Sequence, residues 1–220
     1  VPQGDKYKLP FKKGFTFLSV FDLQDNRKGY DILLNGYLNE FSAKDDVVLV
    51  IKNRSGKKKD LLQSIIDNHP KPAKEKPRVH LIGKMLPEED LLALYRACDA
   101  FVLPSRGEGW GRPYFEAMLM EMPTIGTNWS GQTDFMNKSN SYLIEVDRLV
   151  KITDNPRFPF YKGHYWAEPS LKDLQRKMRY VVEHRQEAKE KGKKARQDLL
   201  KRFSMKKVSG IILKEIAKFG

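Results

Sequence analysis

The chain has little with which to build a cross-link or a metal centre. Its 220 residues hold one cysteine, Cys98, which rules out an internal disulfide and fits a reducing compartment. A small buried residue is the simplest role for that side chain. The four histidines, His69, His80, His164 and His184, are scattered without ligand spacing, so no metal site is expected. No apolar run approaches the ~18 residues that a membrane helix needs, and no span is expected. Two phosphate-binding strings are also missing. Without a Gly-x-Gly-x-x-Gly after the first strand-like segment, or a Walker A string, a dinucleotide oxidoreductase or a P-loop NTPase is disfavoured. No internal repeat is present.

Acidic residues are the scarce charge. Lys and Arg number 41 against 28 Asp and Glu, giving a formal net charge of +13. The excess gathers at 57–59, 71–78 and 189–207. It invites anionic partners, although runs of this kind are commonly solvated helix faces or tolerant loops. A hydrophobic content of 40% with 31% charged residues is that of an ordinary soluble globular protein, and a domain of this length buries about 70% of its unfolded surface. The chain starts at Val1 with no Met and no leader pattern, and is expected to be a piece of a longer protein.

Taken in order, residues 1–14 are polar, contain Pro2 and Pro10, and read as an incoming linker. Residues 15–21 predict a strand, 30–41 a helix, 47–52 a buried strand and 61–68 a second helix. A Pro- and Lys-rich loop at 70–77 precedes a strand at 79–82. Pro87 and the acids Glu88, Glu89 and Asp90 then open a helix, as its dipole prefers. Residues 99–104 predict another buried strand, 114–121 a helix, 123–127 a strand, 130–134 a turn and 141–146 a short strand. The stretch 147–168 shows no clear period, holds Pro156, Pro159 and five aromatic residues, and is expected to be an irregular loop. From Ser170 the pattern is helical to the end, with Asp173 as a capping-box partner and breaks expected at Gly192 and at Phe203-Ser204. Near-continuous apolar strands alternating with helices predict an α/β fold: a doubly wound, Rossmann-like parallel sheet with helices on both faces and a helical C-terminal region. Ligands of such a fold sit at the carboxyl ends of the strands.

The segment 105–117, Ser-Arg-Gly-Glu-Gly-Trp-Gly-Arg-Pro-Tyr-Phe-Glu-Ala, lies between the predicted strand at 99–104 and the following helix. Gly107, Gly109 and Gly111 let a backbone approach a ligand, and Pro113 suits a first helical position. The N-terminus of that helix favours an anion or a sugar oxygen, and Glu108 and Glu116 could both face one cleft. A Gly-rich turn capping an ordinary helix is the plain alternative.

Glu108 and Glu116, set among Pro104, Ser105, Gly109, Gly111, Pro113, Ala117, Met118 and Pro123, resemble the signature of retaining glycosyltransferases of the family 4 type, which have the GT-B fold. The similarity covers 15–220 and is to the C-terminal, donor-binding half. It implies that Lys28, in Lys28-Gly29, gives a cation to the donor diphosphate. A Gly-Arg pair common after the first strand is replaced by Phe21-Asp22, and Arg27 is the expected substitute. The loop with Gly83, Lys84 and Met85 implies contact with the base. Glu116 implies ribose binding, and Glu108 a place near the donor sugar. Gly109, Trp110, Gly111 and Arg112 complete the expected donor site, with Glu108 and Lys28 as the catalytic pair. Trp110 stands for the commoner Phe, and Glu121 where Gly is usual. Residues 128–134 stand where the family has a Gly-Gly turn, either closing the cleft wall or touching the ligand.

The resemblance implies transfer of a sugar, with retention, from a UDP- or GDP-sugar to a sugar or glycolipid acceptor held by a missing N-terminal domain. The fragment alone would be inactive. Neither a cofactor nor a metal is expected, since the Asp-x-Asp string of metal-using transferases is absent. The expected setting is cytoplasmic, with peripheral membrane contact left open. No nucleic-acid partner is expected: clustered lysines without an aromatic stacking platform are weak evidence for one. The alternative is a non-catalytic basic α/β module that binds nucleotide, RNA or an acidic membrane surface.

Overall fold

The computed structural model describes residues 3–11, 14–23, 26–53, 59–153, 155 and 158–219. A parallel six-stranded sheet runs in the order β3-β2-β1-β4-β5-β6, from β1 (Phe15–Phe21), β2 (Val47–Asn53), β3 (Arg78–Ile82), β4 (Ala100–Leu103), β5 (Thr124–Thr127) and β6 (Tyr142–Ile144). Residues of β1, β2, β4 and β5 are buried almost throughout, as strands covered on both faces must be. The covering helices are α1 (Tyr30–Glu40), α2 (Lys59–Asp67), α3 (Glu88–Ala97), α4 (Arg112–Leu119), α5 (Leu171–Glu183) and α6 (Arg185–Phe203), and α7 (Met205–Ile216) follows as an outlying helix. This is the expected doubly wound α/β fold. The strand order reverses between β1 and β4, and the crevice at such a switch point is where these folds bind ligands.

The N-terminal stretch, where described, lies along the domain. The Tyr7 N–H donates to the Ala93 carbonyl at 3.0 Å, and Tyr7, Leu9 and Phe11 pack on the core. Pro2, Lys57 and Lys58 lie outside the described residues.

Three local expectations need correction. The region expected as an irregular loop contains an antiparallel hairpin, β7 (Val146–Lys151) with β8 (Tyr165–Pro169), bulged at Val146/Arg148. It has little core to face, with Leu149 46% and Val150 38% exposed, so no polar–apolar alternation marks β7. Ser170 makes no side-chain cap, and Asp173 does not close a capping box. Its buried carboxylate accepts the Glu145 N–H at 2.8 Å and pairs with Arg176 and Lys177, tying α5 to the end of β6. Burial opposes ionisation there, but the Lys177 and Glu145 hydrogen bonds and Arg176 more than offset it and hold Asp173 below the usual carboxylate range.

Gly192 does not break the C-terminal helix either. It sits inside α6, pressed on the turn after α4, where an added Cβ would lie 2.1 Å from the Glu121 carbonyl oxygen. Glu121 itself, where the family favours Gly, has a left-handed φ of 60°.

A helical Gly→Ala exchange ordinarily stabilises by about 1 kcal/mol. Gly192→Ala should do the reverse, lowering unfolding free energy by about 1–3 kcal/mol as overpacking does. Gly210→Ala in α7, where a Cβ meets nothing within 4 Å, should be neutral or stabilising. Denaturant titration of both variants checks the contrast.

Candidate functional site

The site is assembled where β1 and β4 end. Beyond β1 the chain makes a 3-10 turn at Asn26–Lys28 and enters α1 through Gly29, whose φ is 63°. A Cβ at Gly29 would lie 1.9 Å from the Pro104 carbonyl oxygen, so only glycine lets this turn rest on the loop leaving β4. The Arg106 N–H seals the contact by donating to the Arg27 carbonyl at 2.7 Å.

That closeness brings the cations to the signature loop. Lys28 Nζ donates to Glu108 Oε1 at 2.7 Å and to Oε2 at 2.9 Å. Arg27 Nη1 donates to the Gly107 carbonyl at 2.6 Å and to Glu108 Oε2 at 3.3 Å. The side chains of Lys28, Arg27 and Glu108 are 13%, 18% and 7% exposed.

Three groups that the sequence reading did not single out hold this arrangement. Arg106 donates to both oxygens of Asp31 at 2.8 Å and pairs with Glu168 at 3.0 Å, joining α1, the loop and β8. Burial works against its charge, but Asp31 and Glu168 outweigh that and keep it protonated. Ser130 Oγ accepts the Glu108 N–H at 2.7 Å and donates to the Glu108 carbonyl at 2.8 Å, with its own φ at 65°. The buried Tyr114 hydroxyl donates to Leu103 O at 2.6 Å and meets Ser105 Oγ at 2.8 Å; burial and Glu108 push its pKa up, so it stays a neutral donor.

Beside the cations opens a cleft of about 590 Å³, within the range of small-molecule sites. Arg27, Lys28, Tyr95, Arg112 and Glu116 line it together with the apolar side chains of Met85, Leu86, Leu91 and Leu92. The Tyr95 hydroxyl donates to Glu116 Oε2 at 3.1 Å, and Arg112 Nη2 donates to Oε1 at 3.1 Å. Burial and the Glu116 charge raise the Tyr95 pKa, which keeps the phenol protonated beside that carboxylate.

The expected site residues are therefore divided. Glu116 lines the cleft, whereas Glu108 is turned into the cation pair. Met85 lines it and is 63% exposed, while Lys84 is exposed and outside the lining. Gly109 is open on the loop, and Gly111 caps α4 with φ 87°. The Trp110 ring packs against Phe115, Phe135 and Phe203, leaving its backbone to the loop. Lys52, buried at the end of β2, also lines the cleft; a lysine closing the apolar run Val47–Ile51 was its only signal. A second cleft, about 640 Å³, lies at the opposite strand ends, by Asp99 and Pro123, and carries neither of the glutamates.

Among the described residues no helix is long and apolar enough to cross a membrane. The family model for glycosyl transferases group 1 matches residues 12–155. The serotype-specific mannosyltransferase WbdA of Escherichia coli is 30% identical over 174 residues, covering 74% of this chain and 20% of that protein. Among solved structures, Anabaena HepE in complex with UDP and glucose aligns with a TM-score of 0.69 at 17% identity, over 93% of this chain and 48% of that one. The C-terminal domain of a group 1 glycosyl transferase, LpcC of Francisella tularensis, aligns with a TM-score of 0.65 at 16% identity, over 87% of this chain and 88% of that one. At these identities the structural likeness shows the fold alone, and the chain spans about a fifth of the length of WbdA. The match runs from residue 12 through the cation turn and the glutamate loop to residue 155, and it places this chain among the group 1 glycosyl transferases.

Proposed function

We propose that this chain is the donor-binding half of a retaining glycosyltransferase that moves a sugar from a nucleoside-diphosphate sugar to an acceptor. The observation that carries the reading is the cation pair Lys28 and Arg27, fixed at the switch point on the wall of a nucleotide-sized cleft. The leaving group of such a transfer is a diphosphate on which negative charge grows, and preorganised cations stabilise that charge. In this reading the base lies along Met85 and the backbone of 83–86, and the ribose hydroxyls donate to Glu116. The diphosphate takes Lys28 and Arg27 with Arg112 at the rim, and the sugar lies toward Glu108 and the amides of Gly109, Trp110 and Gly111. The cations do the electrostatic work, and no metal or cofactor is called on.

Retention is inferred from the type of signature. The acceptor, a sugar or glycolipid, would be held by a second, N-terminal half. A cytoplasmic site in peripheral contact with a membrane suits such an acceptor and the lone Cys98.

The rival reading, a basic module for RNA or lipid, loses support where members of the basic runs are engaged in the fold. Lys71 donates to the Leu38 and Phe41 carbonyls at the end of α1, and Lys76 to the Ile66 and Asp67 carbonyls at the end of α2. On α6, Lys193 and Lys194 pair with Glu190 and Asp198.

Binding by the 220-residue chain tests the reading. It should bind UDP or GDP and transfer no sugar alone; glycosylation of an acceptor by the purified chain would overturn the second half of that statement. Lys28→Ala should weaken the diphosphate by about 1.5–3 kcal/mol, as for a hydrogen bond to a charged group, and leave uridine or guanosine unchanged in calorimetric titration. Equal losses for nucleotide and nucleoside would refute the assignment of Lys28.

The glutamates should fail differently. Glu116→Gln should weaken nucleotide and nucleotide-sugar alike by about 1 kcal/mol, and 2′-deoxynucleotides should lose as much on the wild type. Glu108→Gln should leave the bare diphosphate at least as tightly bound, because Lys28 and Arg27 no longer face a carboxylate charge, and should erode only the affinity contributed by the sugar. A larger loss of bare nucleotide with Glu108→Gln than with Glu116→Gln excludes this division.

A further inference from the structure

The β7–β8 hairpin is fastened to the glutamate loop in three ways. The Ala167 N–H donates to the Arg106 carbonyl at 3.0 Å. The Arg106 guanidinium pairs with Glu168 at 3.0 Å. The Trp166 ring lies 3.6 Å from the position of a Cβ on Gly107. From Trp166 a row of rings leads away from the loop. Tyr161 follows at 6.0 Å between centroids, and Phe160 at 4.7 Å from Tyr161, with Phe158 flanking both.

These rings are not a core. Phe158, Tyr161 and Trp166 are only partly buried, and Phe160 is 68% exposed. Scattered exposed apolar residues need no explanation, but a contiguous row that begins against a ligand loop does. A pyranose has one face of C–H groups and a rim of hydroxyls, and it is the ligand that such a row fits. Its C–H face lies on aromatic carbon while the hydroxyls stay in water or reach polar tips such as the Tyr161 hydroxyl.

We propose that Trp166, Tyr161 and Phe160 form a saccharide-stacking track, on which sugar units of the acceptor lie as they approach the transfer site. This rests on the proposed function, which puts the donor sugar at the glutamate loop where the track begins. The rings belong to a segment that the signature does not contain, so they would distinguish one acceptor class from another without changing donor chemistry.

Saturation-transfer NMR on the 220-residue chain tests the proposal, with disaccharides of mannose, glucose and N-acetylglucosamine as probes. The wild type should pass saturation from aromatic protons to the C–H groups of at least one disaccharide. Phe160→Ala and Tyr161→Ala should each reduce that signal at least threefold without changing UDP or GDP affinity. Phe219→Ala, which removes a 90% exposed ring from the C-terminal end, should leave it intact.

No transfer to any disaccharide, or equal losses in all three variants, would overturn the track. So would a dimer that Phe160→Ala dissociates in sedimentation without any saccharide signal, which would assign the rings to a second copy. Nucleotide binding in the same samples separates the two readings. Bound nucleotide without saccharide rejects the track alone. Saccharide transfer without nucleotide binding keeps the stacking surface and rejects the donor reading, and the absence of both rejects the two together.

Discussion

Two loops that leave the sheet from neighbouring strands can touch only because position 29 carries no side chain. Gly29 closes the turn after β1 in a left-handed conformation and lies where a Cβ would meet the Pro104 carbonyl oxygen at 1.9 Å. Any larger residue would part the loops, and Lys28 and Arg27 would then fall short of Glu108. The supports act across the same gap. The Arg106 N–H reaches the Arg27 carbonyl, and its guanidinium reaches Asp31 on α1 and Glu168 on β8. A parallel sheet alone supplies a crevice; this contact sets Lys28 and Arg27 on its wall.

The charges gathered there are poorly explained as stabilisers. Lys28, Arg27 and Glu108 lie at less than a fifth exposure, where taking ions out of water offsets much of their mutual attraction. Two cations against one carboxylate leave a formal charge of +1. A scaffold is served as well by apolar packing, and the proposed donor reading supplies an anionic ligand for such a cluster.

Most of the fold was legible because strands buried on both faces read as unbroken apolar runs, and β1, β2 and β4 differ from their predicted spans by no more than a residue at either end. The hairpin was not. A two-stranded ribbon with β7 largely exposed has no reason to alternate polar and apolar residues. Gly192 was misread because glycine serves as a helix breaker and as a surface for close packing, and sequence does not tell these apart. For the site, the signature string placed the loop, yet spacing alone made Glu108 and Glu116 equivalent. Their division depends on which cation lies across the gap. Lys52 was marked only by closing a buried apolar run, and Tyr95 gave no local signal because it belongs to the core-facing side of α3.

Ser130 shows how the loop could exchange partners without moving. Its φ of 65° and ψ of −159° lie in a region that costs a non-glycine residue about 1–3 kcal/mol. It stays there with its hydroxyl bonded to the amide and the carbonyl of Glu108 together. The backbone of Glu108 is therefore fixed on both sides, while its carboxylate is held, among the described residues, by Lys28 and Arg27. On the proposed donor reading, a diphosphate entering the cleft would compete for those same N–H donors. Because the main chain is clamped, that exchange would need only side-chain rotation, with phosphate oxygens taking the place of the carboxylate on the cations and the carboxylate free to turn toward the group that the phosphate carries. The arrangement would thus link arrival of the proposed anion to the freeing of Glu108, within the reach of one side chain.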